Sequence, residues 1–328
     1  MISLFRPKVL RNWLGSQPTG PPEILTTTGE IPMKTSMRRA IAVATLILSS
    51  ATFAAAKSDY VYEMAPNIYS FGKGNAHSMF LVTDEGVAVF ETFNTKHSEA
   101  LLTAIREVTD QPIRYAFHTH NHWDHAGGGQ VFRDEGAETV MHTFADAYLE
   151  ANPGRDTTRA SIVWEGQKTE YTLGDMTVEA HYMGLSHGLG MTVFVIPEAR
   201  VGYIGDLVTP NRVLFAIVPD FNVRGLETAL EAMPRLAFDR AVCSHNELPA
   251  GEIEMGCTQA HAAEGLQYIR DLRAAIMAEF QKGTQNVPAV VELPQYAHWA
   301  HYDDWLEMNA WRVMVDLFMG PYPWVPGQ

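Results

Sequence analysis

Histidine, aspartate and glycine are concentrated in one short stretch of the 328-residue chain, FHTHNHWDHAGGG at residues 117–129. Four histidines and one aspartate fall within eight positions, and three glycines follow them. Imidazole and carboxylate groups are ligands that suit zinc, and a catalytic zinc site leaves one position open for water. The stretch therefore predicts a metal centre, and a polar loop that is rich in histidine by chance is the alternative.

The spacing predicts how these side chains divide between two metal ions. His120 and His122 alternate, so an extended chain can aim both at one ion. Asp124 and His125 are adjacent and can turn toward a second ion. Gly127 and Gly128 would let the backbone pass close to the metals at the start of a helix.

The flanking sequence predicts strands and helices that position this stretch. Apolar residues alternate between glycine-containing turns, which indicates antiparallel strands, and helical spacing of apolar residues indicates covering helices. Two such sets indicate two sheets packed face to face with helices outside. The predicted strands lie at 67–72, 78–86, 87–92, 113–118, 138–142, 170–183 as a hairpin, 191–197, 200–206 and 240–245, and the helices at 95–110 and 226–237.

After about residue 249 the pattern changes to two long helices, over 258–283 and 302–320. Apolar residues, many of them Trp and Met, line one face of the second helix. Core packing is the ordinary role of such a face, and a wall over the active site or a dimer surface is the alternative. We therefore expect a catalytic domain at 57–249 and a helical extension at 250–328 that packs on it.

Residues 1–56 are predicted to be an upstream extension and a cleavable signal peptide. Lys34, Arg38 and Arg39 precede a nine-residue apolar run, and small residues ending in Ala56 follow it. This order is typical of a secretory signal and is too short for a permanent membrane anchor. The sequence therefore predicts a periplasmic or secreted protein.

Composition narrows the class of partner. Beyond residue 56 the chain has 18 basic and 36 acidic residues, so its surface repels polyanions and nucleic acid is not expected as a substrate. A small-molecule substrate is expected, and homo-oligomer formation stays open. Cys243 and Cys257 could form a disulfide in an exported protein, or Cys243 could be a buried free thiol.

The segment THNHWDHAGG resembles the H-x-H-x-D-H signature of the metallo-β-lactamase superfamily, and the resemblance covers roughly residues 60–248. His187 in MGLSHGLG, Asp206 at the end of VGYIGD and His245 at the end of AVCSH resemble the other ligand positions of that family. The resemblance implies an α+β fold, a four-layer αββα sandwich, here with a C-terminal helical extension.

The resemblance also implies a ligand set for two zinc ions, with iron or manganese as other metals that the scaffold could take. His120, His122 and His187 would hold one ion, Asp124, His125 and His245 the other, and Asp206 would bridge them. A water shared by two such ions loses a proton near neutral pH and can act as the nucleophile. Asp124 is the predicted catalytic residue, because it could orient that water and pass a proton to the leaving group.

A small, partly apolar ester, lactone or amide is the expected substrate. The carboxylate at Asp206 departs from the family's true β-lactamases, although β-lactam cleavage stays open. The expected pocket residues are Trp123, Phe215, Phe221 and Arg212, with Arg212 either meeting a substrate carboxylate or, as is more usual, lying in solvent. The alternatives are a mononuclear-iron thiol or persulfide oxygenase, a phosphodiesterase or sulfatase, and a non-catalytic binding protein.

Overall fold

A computed structural model describes residues 59–216, 221–249 and 251–321. The predicted signal peptide and the extension before it lie outside these residues. Within the described ranges, no helix combines the length and the apolar character needed to cross a membrane.

The described chain forms two β-sheets. In the first sheet the strand order is β1 to β7, with antiparallel pairing from β1 to β4 and parallel pairing from β4 to β7. In the second sheet the order is β12-β11-β10-β9-β8, and only β11 and β12 are parallel. The strands are β1 Tyr60–Ala65, β2 Ile68–Lys73, β3 Ala76–Thr83, β4 Gly86–Phe90, β5 Ile113–Phe117, β6 Glu138–His142, β7 Ile162–Trp164, β8 Lys168–Leu173, β9 Met176–Tyr182, β10 Thr192–Ile196, β11 Val201–Gly205 and β12 Arg240–Cys243.

Alternation within the central strands explains why the sheets stack and are covered on both sides. In β4, Ala88 and Phe90 face the second sheet, whereas Val87 and Val89 pack with the helices outside the first sheet. Successive side chains of a strand point to opposite faces, so a strand that is apolar at every position must be buried on both faces.

Six α-helices of the described residues complete the outer layers. Helix α1 and helix α2 cover the first sheet, α3 packs beside β6, and α4, α5 and α6 cover the second sheet. The result is the four-layer αββα sandwich that was predicted from the sequence. The helices are α1 Thr95–Val108, α2 Gly129–Asp134, α3 Thr143–Ala151, α4 Val223–Ala232, α5 Gln259–Gln281 and α6 Tyr302–Met319.

The two C-terminal helices share one hydrophobic core with the second sheet. Ile269 and Leu272 of α5 and Ala310 and Val313 of α6 are buried with Val193 of β10. The apolar face of α6 therefore packs in the core, which is one of the roles expected for it.

Two features were not recognised or were left open in the sequence. Helix α3 begins directly at the end of β6, without a glycine or proline to mark the boundary, and β7 has only three residues. Cys243 and Cys257 form a disulfide, so Cys243 is not a free thiol.

Candidate metal centre

All seven predicted ligands lie at one edge of the two sheets. Four of them come from the loop that follows β5 and precedes α2, where the parallel strands of the first sheet end. His187 lies between β9 and β10, Asp206 follows β11, and His245 follows β12. Strand ends of both sheets thus bring together residues that are far apart in sequence.

His120, His122 and His187 form what we call the three-histidine group. One ring nitrogen from each lies within 4.8 Å of the other two. His120 Nε2 is 2.9 Å from His122 Nδ1, and the ring centroids of His122 and His187 are 5.0 Å apart. His120 is fully buried and His187 is 7% exposed, so this group lies largely out of solvent.

Asp124, His125 and His245 form the mixed group, which also places one ligand atom from each residue within 4.8 Å of the others. Asp124 Oδ2 is 3.6 Å from His125 Nε2 and 4.0 Å from His245 Nε2. The His125 side chain is buried, but 72% of the Asp124 side chain is exposed. The mixed group therefore opens to solvent on its carboxylate side.

Asp206 lies between the two groups. Its Oδ2 atom is 3.3 Å from His125 Nε2 and 3.4 Å from His187 Nε2, so one carboxylate oxygen contacts a member of each group. The side chain is only 8% exposed. This placement matches the position that the sequence resemblance implies for a bridging carboxylate.

Glu91 contacts predicted ligands on the side away from the centre, and it was not identified from the sequence. Its carboxylate is fully buried, accepts hydrogen bonds from the backbone N–H and the hydroxyl of Thr119, and lies 3.3 Å from His125 Nδ1. The Thr119 hydroxyl also lies 2.8 Å from His120 Nδ1. A carboxylate on the far nitrogen of a histidine fixes the ring and its tautomer, so Glu91 is a positioning residue.

The signal for Glu91 was an acidic residue directly after the fully apolar strand β4. Glu91 has a φ of 67°, a left-handed conformation that is uncommon for a residue with a Cβ atom. Glu91 could also be grouped with His120 and His125 as a metal ligand. Since its oxygens already serve Thr119 and His125, we assign it to the supporting role.

The histidines that were set aside do not add ligands to either group. His118 is buried, and its Nδ1 atom lies 3.3 Å from the backbone oxygen of His125, so it contacts the ligand loop from behind. His181 pairs with Glu179 on β9 at 2.8 Å.

Gly127 and Gly128 lie at the start of helix α2, where Gly128 precedes the first helical residue and has a φ of 72°. A Cβ atom on Gly127 would lie 2.4 Å from the Phe93 carbonyl oxygen, and one on Gly128 would lie 2.4 Å from the Asn94 carbonyl carbon. Their role is close approach to the backbone after β4. The glycine that passes closest to the ligands is Gly188, where a Cβ atom would lie 2.9 Å from His120 Cδ2.

The pKa shifts of three residues at this centre favour binding of a cation. Burial, with the neighbouring histidines, lowers the pKa of His120 well below its usual range, which keeps a nitrogen lone pair available. Burial alone would raise the pKa of Asp206, but His125 and His245 hold it well below the usual range. Burial likewise opposes protonation of His125, but Asp206 and Glu91 raise its pKa well above normal. A metal ion at His125 would therefore displace a proton.

These donors fit zinc. Asp206 Oδ1 is buried and has no hydrogen-bond partner among the described residues. Buried polar atoms without partners are costly, and coordination to a metal would satisfy them. Imidazole nitrogens and carboxylate oxygens are the ligands that catalytic zinc uses.

Three of the four predicted pocket residues line one pocket beside this centre. Arg212, Phe215 and Phe221 line it together with His187 and Asp206. Trp123 does not, since it is 54% exposed and donates a hydrogen bond from Nε1 to the Asn152 carbonyl. The expectation that Arg212 lies in solvent is wrong, because Arg212 is only 5% exposed.

The family model of the metallo-beta-lactamase superfamily matches residues 71–245, just over half of the chain. The 2,4-dinitroanisole O-demethylase subunit alpha of Nocardioides sp. (strain JS1661) is 24% identical over 156 residues, which are 47% of this chain and 47% of that protein. Metallo-beta-lactamase IND-1 of Chryseobacterium indologenes is 28% identical over 138 residues, 42% of this chain and 56% of that protein. The chain thus spans about half the length of the curated relatives it matches.

Solved structures share the architecture. The sec-alkylsulfatase Pisa1 from Pseudomonas sp. superposes with a TM-score of 0.63 at 14% identity, covering 80% of this chain and 50% of that chain. Metallo-beta-lactamase IND-7 gives a TM-score of 0.55 at 19% identity, covering 65% of this chain and 99% of that chain. At these identities the likeness is one of fold alone.

Proposed function

The chain belongs to the metallo-beta-lactamase superfamily, and from that premise we propose that it is a two-zinc hydrolase of a small, partly apolar ester, lactone or amide. The observation that carries the proposal is the pair of ligand groups with Asp206 between them. Hydrolytic two-metal sites need two such groups a short distance apart.

Zinc held by these residues would supply a water-derived nucleophile at neutral pH and polarise the carbonyl under attack. The protein side chains supply position and proton transfer. Glu91 contacts His125 at Nδ1, and His245 Nδ1 donates to the Asn75 carbonyl oxygen at 2.5 Å, so both rings keep Nε2 toward the centre.

Asp124 is the group we assign to proton transfer. It is the most exposed of the seven predicted ligands, so one of its oxygens can reach water and the leaving group. Proton transfer by a positioned side chain typically contributes 10²–10⁴-fold to a rate. Asp206 is enclosed between two histidines and lacks this access.

The substrate class rests on charge and on the pocket wall. The acidic surface disfavours polyanions, and Phe221 lies against His187 with ring centroids 6.0 Å apart. An apolar group of a small substrate can therefore lie beside the centre while its carbonyl faces the ligands.

Elemental analysis of the purified protein, combined with a substrate panel, tests this function. We expect about two zinc ions per chain and turnover of esters, lactones or amides. The panel should include β-lactams, phosphodiesters, an alkyl sulfate and an aryl methyl ether, because the similar proteins include enzymes named for β-lactams, alkyl sulfates and an O-demethylation.

Other outcomes would replace the proposal. Turnover of phosphodiesters or sulfates alone would contradict the substrate class. One iron per chain without zinc, together with oxygen-dependent consumption of a thiol or persulfide, would favour the oxygenase.

We also propose that the protein is exported with removal of residues 1–56. The Cys243–Cys257 disulfide supports this proposal, because disulfides persist in oxidising compartments. N-terminal sequencing of protein from a periplasmic or culture fraction should begin at Lys57. A chain that keeps its N-terminus in the reducing cytoplasm would contradict export.

A further inference from the structure

Arg212 is a buried cation that forms no ion pair with any described residue. It is 5% exposed and its Nε atom makes no hydrogen bond. In the described ranges no carboxylate lies within 4.0 Å of its guanidinium, and its Cζ atom lies over the Trp305 ring, 5.9 Å from the ring centroid. Burying a charged group is costly unless a partner compensates it.

The charge of Arg212 persists despite this burial. Burial lowers its pKa, while the more distant carboxylates of Asp206 and Glu247 partly offset that effect. An arginine side chain stays protonated in proteins under ordinary conditions. Asp206 is already engaged by two histidines, so the guanidinium keeps unused hydrogen-bonding capacity.

The pocket that Arg212 lines begins at the metal centre. His187 and Asp206 form one part of its lining, and Leu214, Phe221 and Val313 form apolar sides. A ligand in this pocket would contact apolar side chains and the guanidinium while one end faces the predicted metal ligands.

Helix α6 builds the far wall of this pocket and fixes the loop that carries Arg212. Asn309 donates from Nδ2 to the carbonyl oxygens of Leu214 and Ala216, both at 3.0 Å, and Arg312 donates to the carbonyl oxygen of Phe221. Helix α6 lies outside residues 71–245, so this wall is not part of the segment that matches the superfamily.

We propose that Arg212 is the anion-binding residue of a substrate subsite walled by α6, and that the substrate is an apolar acid derivative with a free carboxylate beside its scissile bond. The identity of the scissile bond rests on the proposed function, but binding of the anion does not. A carboxylate matches the planar guanidinium, and hydrogen bonds between charged groups are the strong ones. An apolar body on the same ligand fits Phe221 and Val313.

Calorimetric binding of two nearly isosteric probes, phenylacetate and phenylacetamide, tests the subsite on the full-length protein with its native metal content. We expect wild type to prefer phenylacetate by roughly tenfold or more, the ratio that a charge-assisted hydrogen bond can supply. Arg212→Gln should lose the preference, and Arg212→Lys should keep part of it. Arg200→Gln is the matched control, because Arg200 is exposed and paired with Asp239 outside the pocket.

Three results would each overturn the proposal. Wild type could bind both probes with equal affinity, or bind neither at millimolar concentration. Alternatively, Arg212→Gln could bind phenylacetate as well as wild type does. The last result would place the carboxylate at the metal centre, whose ligands the variant retains. Arg212→Met removes a buried charge that has no ion pair, so the thermal unfolding midpoint of this variant should equal or exceed that of wild type. A marked fall in that temperature would instead indicate a structural role. The substrate panel decides the hydrolase proposal separately from these binding measurements.

Discussion

The three-histidine group and the mixed group differ in exposure and in charge. The first consists of imidazoles only, with His120 fully buried, whereas the second includes a carboxylate that is 72% exposed. Both groups contact the same Asp206. If each group holds a zinc ion, as proposed, the difference predicts that the three-histidine group binds its ion more tightly and that the mixed group stays accessible to water and to proton transfer.

The largest expected effect is that of His187→Ala, which removes a ligand from the three-histidine group. We expect turnover at background level and a metal content below two per chain, because the remaining nitrogens of His120 and His122 leave the site incomplete. Turnover and elemental analysis measure the effect. His181→Ala is the matched control and should behave as wild type, since His181 pairs with Glu179 on β9. Wild-type rates with His187→Ala would refute the site assignment.

Asp124→Asn should affect the mixed group alone. We expect a rate lower by about 10²–10⁴-fold, which is the usual contribution of a positioned proton carrier. A chelator titration should release one metal more readily than in wild type and leave the other in place. Asp134→Asn, on the exposed end of α2, is the control. Simultaneous release of both metals would contradict the division between the groups.

Glu91→Gln should weaken metal binding without removing a ligand. Loss of a carboxylate that orients a metal-bound histidine typically costs 10–100-fold in affinity or activity. Because Glu91 contacts His125 directly and His120 only through Thr119, the mixed group should lose more affinity. Glu99→Gln, on the exposed side of α1, provides the comparison. Unchanged affinities would show that Glu91 has no positioning role.

The smallest effect on the site is expected from Cys243→Ser combined with Cys257→Ser. The disulfide closes a segment with a sequence separation of 14, so its loss should lower the free energy of unfolding by roughly 2–4 kcal/mol. His245 follows Cys243 by two residues, and metal affinity at the mixed group should therefore fall slightly. Denaturant unfolding and metal titration measure the two effects. A larger loss at the three-histidine group would contradict the comparison.

The predicted ligands differ in how far a local sequence pattern can identify them. His120, His122, Asp124 and His125 are neighbours in sequence, so the chemistry of their stretch is visible without a structure. His187, Asp206 and His245 were found only through resemblance to a family motif. Each is a single residue in a separate loop, and a single histidine or aspartate carries no local signal.

Glu91 was not identified from the sequence, and the burial of Arg212 was not expected, although Arg212 was correctly placed at the pocket. An acidic residue after a strand and an arginine in a loop are ordinary surface features in a sequence. Their burial depends on the packing of the His-rich loop over β4 and of α6 over the loop after β11, and both contacts join distant segments.

The sequence by itself determined the fold class, because period-two and helical apolar patterns set which faces must be buried, and it determined the chemistry of the His-rich stretch, because those side chains are adjacent. Only the tertiary structure decided the disulfide, the supporting role of Glu91, the close approach of Gly188 and the buried cation in the pocket. These depend on distances between segments far apart in the chain, and only the packing of the two sheets with their helices sets such distances.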